Sequence, residues 1–331
     1  MEQRPLGSTG LIVSALGFGC GAVGGLMVRG QPAEQREAVS RALAAGITYF
    51  DTAAQYGDGR SEENLGRVMG ELGAWSRVVV GTKVRLTAQD LSDPAAAIRR
   101  SLEASLRRLA RDDVDVFHLH NPVALTRSSE AEALELDAVL GRVARGLEAV
   151  RTDGLARHIG FTGLGDSFAV REVVRTDPFH VVQTYFNALN PSAGFTGHAG
   201  GQQDFHGLID TAALAGRGVI VIRVLAAGAL AAESGRATNA GDPGRGLVSG
   251  GSYDSDVSHA ARLRDLASEL GLEGPVELSL RFGLSKPGVS TVLVGYSNLG
   301  HLDEAIRYAE RGPLSGDAVA RVLEVSLAPA V

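Results

Sequence analysis

Short apolar runs alternate with longer stretches whose apolar residues recur at helical spacing, and this alternation continues along almost the whole chain. Residues 47–50 and 114–120 are typical of the runs, which are rich in β-branched and aromatic side chains. Ile98, Leu102 and Leu106 are typical of the spaced positions, which put apolar side chains on one face of a helix. The pattern therefore predicts a series of strand–helix units.

These units predict one closed architecture. The predicted strands are residues 15–20, 47–50, 77–83, 114–120, 158–161, 180–185, 219–224 and 290–294. The predicted helices are residues 32–45, one beginning at 61, one beginning near 92–94, then 130–152, 168–175, 208–215, 256–270 and 298–310. Eight strands with helices between them predict an α/β fold, the parallel (β/α)8 or TIM barrel.

The ends and the loops of the chain fit the same barrel. Residues 4–14 predict an N-terminal β-hairpin that turns at residues 7–10, and residues 317–327 predict an extra C-terminal helix. The Gly-rich stretches 193–201 and 232–251 fall between elements, which is typical of long loops on a barrel face. We find no linker composition, so we predict a single domain over residues 1–331.

Four polar side chains follow neighbouring predicted strands at the end where barrels carry their chemistry. Asp51 ends the second strand, Tyr56 lies in the loop after it, Lys83 ends the third strand and His120 ends the fourth. A phenol has a pKa of about 10, and a nearby ammonium can lower it by roughly one to three units. Asp51 would hold Lys83, and His120 would aim a substrate oxygen at Tyr56. Each residue alone has an ordinary structural explanation, but their convergence predicts a general acid for carbonyl reduction.

Composition removes several other classes. The net charge is −6 and no basic stripe with aromatic residues is present, which argues against nucleic acid and anionic membranes as partners. We expect no signal peptide and no membrane helix, because no apolar run approaches the required length. Cys20 is the only cysteine, so the default location is the cytoplasm. The number of subunits is not indicated.

Three motifs resemble the aldo-keto reductases. They are the opening residues 4–19, the segment Phe-Asp-Thr-Ala-Ala-Gln-Tyr-Gly at 50–57, and residues 105–122 with the strand that ends at His120. The resemblance covers essentially the whole chain. It implies that Asp51, Tyr56, Lys83 and His120 are the catalytic tetrad, with Tyr56 as the proton donor. It also implies that a nicotinamide cofactor passes a hydride to a small carbonyl substrate, without a catalytic metal.

The same resemblance implies where cofactor and substrate bind. The implied cofactor residues are Thr162, Gly163, Gln183, Arg223, Leu225, Gly228, Leu230, Gly295, Ser297, His301 and Glu304. The implied substrate residues are Met27, Tyr56, His120 and Asn121. The family norm is NADP(H). NAD(H) stays open, because no Arg or Lys stands at the positions that usually grip a 2′-phosphate, and His301 replaces the common Arg or Gln. Gly163 also departs from the family, which usually has an amide side chain there.

Three alternatives compete with this hypothesis. Gly19, Gly21 and Gly24 match a dinucleotide-binding fingerprint with Asp51 as the ribose-binding acid, which would make a Rossmann dehydrogenase. A second alternative is a redox-sensing subunit that binds the cofactor and acts by docking to a partner. A third, metal-assisted hydrolysis, lacks ligands at the usual spacing, since its histidines and acids lie in a Gly-rich loop.

Overall fold

The computed structural model describes residues 1–126, 132–199, 203–231, 237–242 and 253–327. In chain order its strands are β1 (Gln3–Pro5), β2 (Ile12–Ser14), β3 (Leu16–Gly19), β4 (Tyr49–Asp51), β5 (Val79–Val84), β6 (Val114–Leu119), β7 (Val123–Ala124), β8 (Leu134–Glu135), β9 (Ala156–Thr162), β10 (Val181–Tyr185), β11 (Gly218–Ile222) and β12 (Thr291–Gly295). Strands β3, β4, β5, β6, β9, β10, β11 and β12 pair in that order and close on themselves.

All neighbouring strands of this barrel run parallel, so the predicted (β/α)8 fold is confirmed. The Rossmann alternative is wrong, because an open doubly wound sheet cannot contain a closed ring of strands. Its glycines have another use. A Cβ at Gly24 would lie 2.6 Å from the backbone of Gly295, so this glycine lets the loop after β3 approach β12 closely.

The helices lie between the strands, as predicted, except for one short additional helix at Leu26–Arg29 and two larger differences. They are α1 (Leu26–Arg29), α2 (Pro32–Ala44), α3 (Arg60–Leu72), α4 (Pro94–Leu109), α5 (Leu136–Ala138), α6 (Ala144–Thr152), α7 (Ser167–Arg175), α8 (Leu208–Leu214), α9 (Tyr253–Glu269), α10 (Pro275–Ser285), α11 (Leu299–Glu310) and α12 (Gly316–Leu327). None of these is long and apolar enough to cross a bilayer, as far as the described residues extend.

The first difference concerns the helix predicted over 130–152. Part of that range, residues 130 and 131, lies outside the described residues, and the helical segment begins only at Leu136. Residues 134 and 135 form β8, which pairs with β7 beside the barrel mouth, and the segment Val139–Val143 between α5 and α6 is π-helical. Residues 134 and 135, which were predicted as helix, therefore form a short strand.

The second difference is α10, which the sequence pattern missed. This helix is buried on most of its surface, including Leu278, Leu280 and Phe282. An amphipathic period is visible only when one face of a helix is polar, so a helix covered on most sides shows no clear period. The predicted loops 193–201 and 232–251 are described only at 193–199 and 237–242, and these parts contain neither helix nor strand.

The β1–β2 hairpin covers the amino-terminal end of the barrel. Leu6, Leu11 and Val13 from the hairpin cluster with the first residues of barrel strands, among them Val79 and Val181. Burying an aliphatic side chain of this size stabilises the fold by roughly 1.5–3 kcal/mol. The hairpin therefore packs on this end of the barrel, opposite the carboxyl ends of the strands.

Gly160 of β9 makes room for a buried imidazole below that mouth. A Cβ at this position would lie 2.6 Å from Nδ1 of His118 and 2.7 Å from the carbonyl oxygen of Val181. We expect Gly160→Ala to lower the free energy of unfolding by about 1–3 kcal/mol, the usual cost of overpacking. Gly70→Ala is the matched control: Gly70 is an exposed residue of α3 where a Cβ meets nothing within 4 Å, so the change is expected to stabilise by about 0.5–1 kcal/mol. Urea unfolding of both variants measures the difference, and equal stabilities would contradict the packing argument.

Candidate active site

A buried ion pair forms the base of the site. Asp51 is the last residue of β4, Lys83 lies in β5, and both side chains are almost completely buried. The Lys83 ammonium donates to the Asp51 carboxylate, to the carbonyl oxygen of Thr52 at 2.7 Å and to the phenol oxygen of Tyr56 at 3.2 Å. A lysine ammonium has three protons, so these acceptors account for all of them.

A second side chain holds the carboxylate of this pair. The Gln183 amide donates to Oδ2 of Asp51 at 2.6 Å. Burial raises the pKa of Asp51 above its usual value, although Lys83 and Gln183 oppose that rise. Burial lowers the pKa of Lys83, but the charge of Asp51 and the hydrogen bonds to Asp51 and Tyr56 outweigh burial, so this pKa lies above its usual value. Lys83 therefore keeps its proton near neutral pH.

Tyr56 lies above the pair, in the loop between β4 and α3. The Lys83 Nζ is 4.7 Å from the centre of its ring, and the rings of Tyr56 and His120 meet edge to face at 5.8 Å. Burial raises the pKa of Tyr56 by more than Lys83 lowers it. The sequence-based expectation of a lowered pKa is therefore wrong for the protein alone, because the loss of solvent outweighs the ammonium. The phenol is protonated at neutral pH and can donate.

His120 follows β6 and is half-buried beside Tyr56. Burial, followed by the charge of Lys83, holds the pKa of His120 well below its usual range, so the imidazole is neutral. Its Nδ1 lies 3.1 Å from the amide oxygen of Gln55. A neutral imidazole carries a single proton, so the orientation of the Gln55 amide determines which ring nitrogen bears it.

The structure thus brings the four predicted catalytic residues together at one mouth of the barrel. The sequence analysis missed two neighbours, Gln55 and Tyr185. Gln55 is a polar residue next to Tyr56 in the same loop, which was an available signal. Tyr185 ends β10 and is buried. It is also the last residue of the predicted strand 180–185, so the rule that strand ends meet at one mouth was an available signal for it as well.

A cavity of about 760 Å³ lies beside this mouth, a size typical of small-molecule sites. Its lining includes Arg223, Leu225, Gly228, Gly295, Ser297, His301 and Glu304. Of the other predicted cofactor residues, Leu230 is buried in the core, whereas Thr162 ends β9 with its hydroxyl buried and without a partner among the described residues. A buried hydroxyl without a partner is expected where a bound ligand supplies the hydrogen bond. The Thr162 hydroxyl and the residues of the cavity are therefore compatible with a dinucleotide cofactor.

Several predicted contacts are occupied within the protein. The amide nitrogen of Gln183 donates to Asp51, so in this structure it faces the ion pair. At Gly163 a Cβ would lie 3.0 Å from the carbonyl oxygen of Gln183, so a larger side chain at this position would require a small shift of its neighbours.

The two loop residues predicted to bind substrate do not reach a binding surface. Met27 lies in α1 and is only 1% exposed, because its side chain packs into the main core. Asn121 is fully buried. Its amide oxygen accepts from the Leu86 N–H, and its amide nitrogen donates to the carbonyl oxygens of Leu86 and Glu132. Met27 and Asn121 therefore pack inside the protein and do not line a binding surface, so the prediction that they bind substrate is corrected.

The fold and the site together define a (β/α)8 barrel that can move a proton to or from one oxygen at its carboxyl-terminal mouth. The model of the Aldo/keto reductase family matches residues 15–326, and the chain belongs to this family. It is therefore an NAD(P)H-dependent oxidoreductase that interconverts small carbonyl compounds and alcohols.

Named relatives agree with this assignment. L-Galactose dehydrogenase of Arabidopsis thaliana is 28% identical, over 92% of this chain and 87% of the relative. L-Glyceraldehyde 3-phosphate reductase of Escherichia coli O157:H7 is 26% identical, over 97% of this chain and 91% of the relative. Among solved structures, the holo form of an aldo-keto reductase from Bacillus halodurans superposes with a TM-score of 0.75 at 22% identity, covering 99% of this chain and 98% of that one.

Proposed function

We propose that the enzyme transfers a hydride between a nicotinamide cofactor and a carbonyl carbon, with Tyr56 as general acid in reduction and general base in oxidation. When bound, the reduced nicotinamide supplies the hydride. The carbonyl carbon gains this hydride, its oxygen gains the Tyr56 proton, and solvent later returns a proton to the phenolate. The observation that carries the proposal is Lys83, whose ammonium contacts both the Asp51 carboxylate and the Tyr56 phenol oxygen.

Each side chain of the mouth has a separate task in this proposal. Lys83 stabilises the phenolate that forms when Tyr56 gives up its proton, and Asp51 keeps Lys83 charged and oriented. His120 donates a hydrogen bond from Nε2 to the carbonyl oxygen. Since the imidazole is neutral, this donation requires Gln55 to present its amide NH₂ group to Nδ1. Thr162 holds the carboxamide end of the cofactor, and the cavity residues from Leu225 to Glu304 hold the rest.

The direct test uses NADH and NADPH deuterated at the nicotinamide C4 position, with a panel of small aldehydes, ketones and aldoses. We include sugars and phosphorylated aldehydes because the relatives act on L-galactose and L-glyceraldehyde 3-phosphate. Mass spectrometry of the alcohol should show one deuterium on the former carbonyl carbon. Cofactor binding with a stable protein complex in pull-downs and negligible turnover on the whole panel would instead favour the redox-sensing subunit.

We further propose that NAD(H) is preferred over the NADP(H) that the family norm implies. Glu304 lines the cavity, and it forms no ion pair within the described part of the chain. Glu273 also lines the cavity, but it pairs with both Arg307 and Arg311, and Arg311 pairs with Glu277 as well. An unpaired carboxylate repels the 2′-phosphate of NADP(H) and can accept hydrogen bonds from the ribose hydroxyls of NAD(H).

Glu304→Lys should therefore shift the ratio of the Kd values for NADH and NADPH toward NADPH by about 3- to 10-fold, as expected for a screened surface charge. The control is Glu310→Lys, the same charge change at the far end of α11, which should leave the ratio unchanged. Fluorescence titration with each reduced cofactor provides the Kd values. If both variants shift the ratio equally, overall charge and not Glu304 sets the preference.

A further inference from the structure

The guanidinium of Arg223 lies beside the phenols at the reaction end of the cavity. Arg223 follows β11 directly, and its Cζ is 5.8 Å from the centre of the Tyr185 ring. Its charge also reaches the catalytic phenol: burial raises the pKa of Tyr56, whereas Lys83 and, more weakly, Arg223 oppose that rise. The guanidinium is therefore close enough to act on a molecule that is bound against Tyr56.

The backbone at Arg223 is held in a conformation that non-glycine residues rarely adopt. Its φ is 60°, in the left-handed region. The side-chain amide of Asn187 donates to the Arg223 carbonyl oxygen at 3.1 Å, and the Ala226 N–H donates to the same oxygen at 2.8 Å. Costly conformations that are held in place by specific bonds concentrate at functional sites. The fold thus fixes the point from which this side chain enters the mouth.

The other charged and titratable groups at the mouth cannot offer a positive charge to a substrate. Lys83 donates its three protons to Asp51, Thr52 and Tyr56, and His120 is neutral. Arg85, whose charge also lowers the pKa of His120, forms an ion pair with Glu132. Among the described residues that line the cavity, Arg223 is the only lysine or arginine. Positive charge for a bound substrate therefore comes from Arg223.

We propose that Arg223 binds a carboxylate or phosphate group of the substrate, so that the enzyme selects carbonyl compounds with an anionic substituent over neutral ones of the same size. This inference rests on the proposed reduction. A planar guanidinium binds both groups through two parallel hydrogen bonds, which fixes orientation as well as affinity. That orientation would present the carbonyl oxygen to Tyr56. This assignment gives Arg223 a substrate contact in place of the cofactor contact that the family resemblance implies.

The test compares two matched substrate pairs: 4-oxobutanoate with butanal, and glyceraldehyde 3-phosphate with glyceraldehyde. The wild-type enzyme should prefer at least one anionic member by 10-fold or more in kcat/KM. Arg223→Met should lower the ratio of kcat/KM for the anionic member to kcat/KM for its neutral partner by about 10- to 100-fold, whereas Arg223→Lys should keep part of the preference. Whether the preference appears in the first pair or the second distinguishes carboxylate from phosphate.

Two results would overturn this role. One is a wild-type enzyme that shows no anionic preference. The other is an Arg223→Met variant that keeps the preference while its Kd for the cofactor weakens by more than 10-fold, which would return Arg223 to the cofactor.

A binding measurement separates this proposal from the proposed reaction. Succinate or inorganic phosphate should raise the unfolding temperature of the cofactor-loaded wild-type protein, and should not do so in Arg223→Met. If the anions raise the unfolding temperature of the wild-type protein but no aldehyde is turned over, the result would support the anion site and count against the proposed reduction. No stabilisation by either anion would count against Arg223 as an anion site.

Discussion

Replacing Tyr56 with phenylalanine is expected to lower kcat by about 10²- to 10⁴-fold, the range that a positioned general acid contributes. The ring of Phe fills the same space against His120, so the edge-to-face contact at 5.8 Å remains. Only the hydroxyl that accepts from Lys83 at 3.2 Å is lost. Because this hydroxyl acts on the substrate oxygen, the Kd of the nicotinamide cofactor should stay within about 3-fold of wild type. Steady-state kinetics and cofactor titration measure the two quantities.

Tyr296→Phe is the matched control for that experiment. Tyr296 is also buried, and its hydroxyl has no hydrogen-bond partner in the part of the chain that the structure describes. Losing it should leave kcat within about 3-fold of wild type, since no contact is removed. A Tyr56→Phe enzyme with unchanged kcat would mean that another group, or solvent, protonates the oxygen.

The barrel could be predicted from the sequence because each of its strands has a recognisable local pattern. Every predicted barrel strand matches the observed one to within two residues at each end. Parallel strands buried on both faces are short β-branched runs, and the helices between them are mostly half-exposed, so both periods are visible. The rule that the chemistry lies at the carboxyl ends of barrel strands then grouped Asp51, Tyr56, Lys83 and His120.

The remaining features depend on contacts between distant residues. Gln183 and Asp51 are 132 residues apart, and only the closed ring of strands brings the amide to the carboxylate. Met27 and Asn121 looked like loop residues open to a substrate, but one is buried in the core and the other bonds the backbone of neighbouring loops. The direction of the Tyr56 pKa also depends on how much solvent the assembled mouth excludes, and no local pattern encodes this.

Lys83→Met should reduce both activity and stability, and the stability loss should depend on pH. Burial raises the pKa of Tyr56, and in this variant only the weaker effect of Arg223 opposes that rise. The phenol becomes a poorer acid and its phenolate loses a partner, so kcat should fall by about 10²- to 10³-fold. The alkaline limb of the pH–rate profile for reduction should move to higher pH, because the phenol now keeps its proton longer. Kinetics across a pH series measure both changes.

The stability effect follows from the carboxylate left behind. Breaking a buried ion pair by removing one partner typically costs about 3–5 kcal/mol. Burial already raises the pKa of Asp51, and removing Lys83 raises it further. A group whose pKa is higher in the folded state binds more protons there, so the free energy of unfolding falls as pH rises above about 3.9, the value for unfolded Asp. Lys83→Met should therefore be less stable at pH 8 than at pH 5.

The double variant Asp51→Asn with Lys83→Met isolates this cause, because the amide that replaces the Asp51 carboxylate is neutral at every pH. It should recover part of the lost stability and lose the dependence on pH, while remaining as inactive as Lys83→Met. Urea unfolding of wild type, single and double variants at pH 5 and pH 8 measures the difference. If the single variant proves equally stable at both pH values, the uncompensated charge of Asp51 cannot be the reason for its instability. That result would mean that water stabilises the Asp51 carboxylate, which contradicts its burial beneath Tyr56.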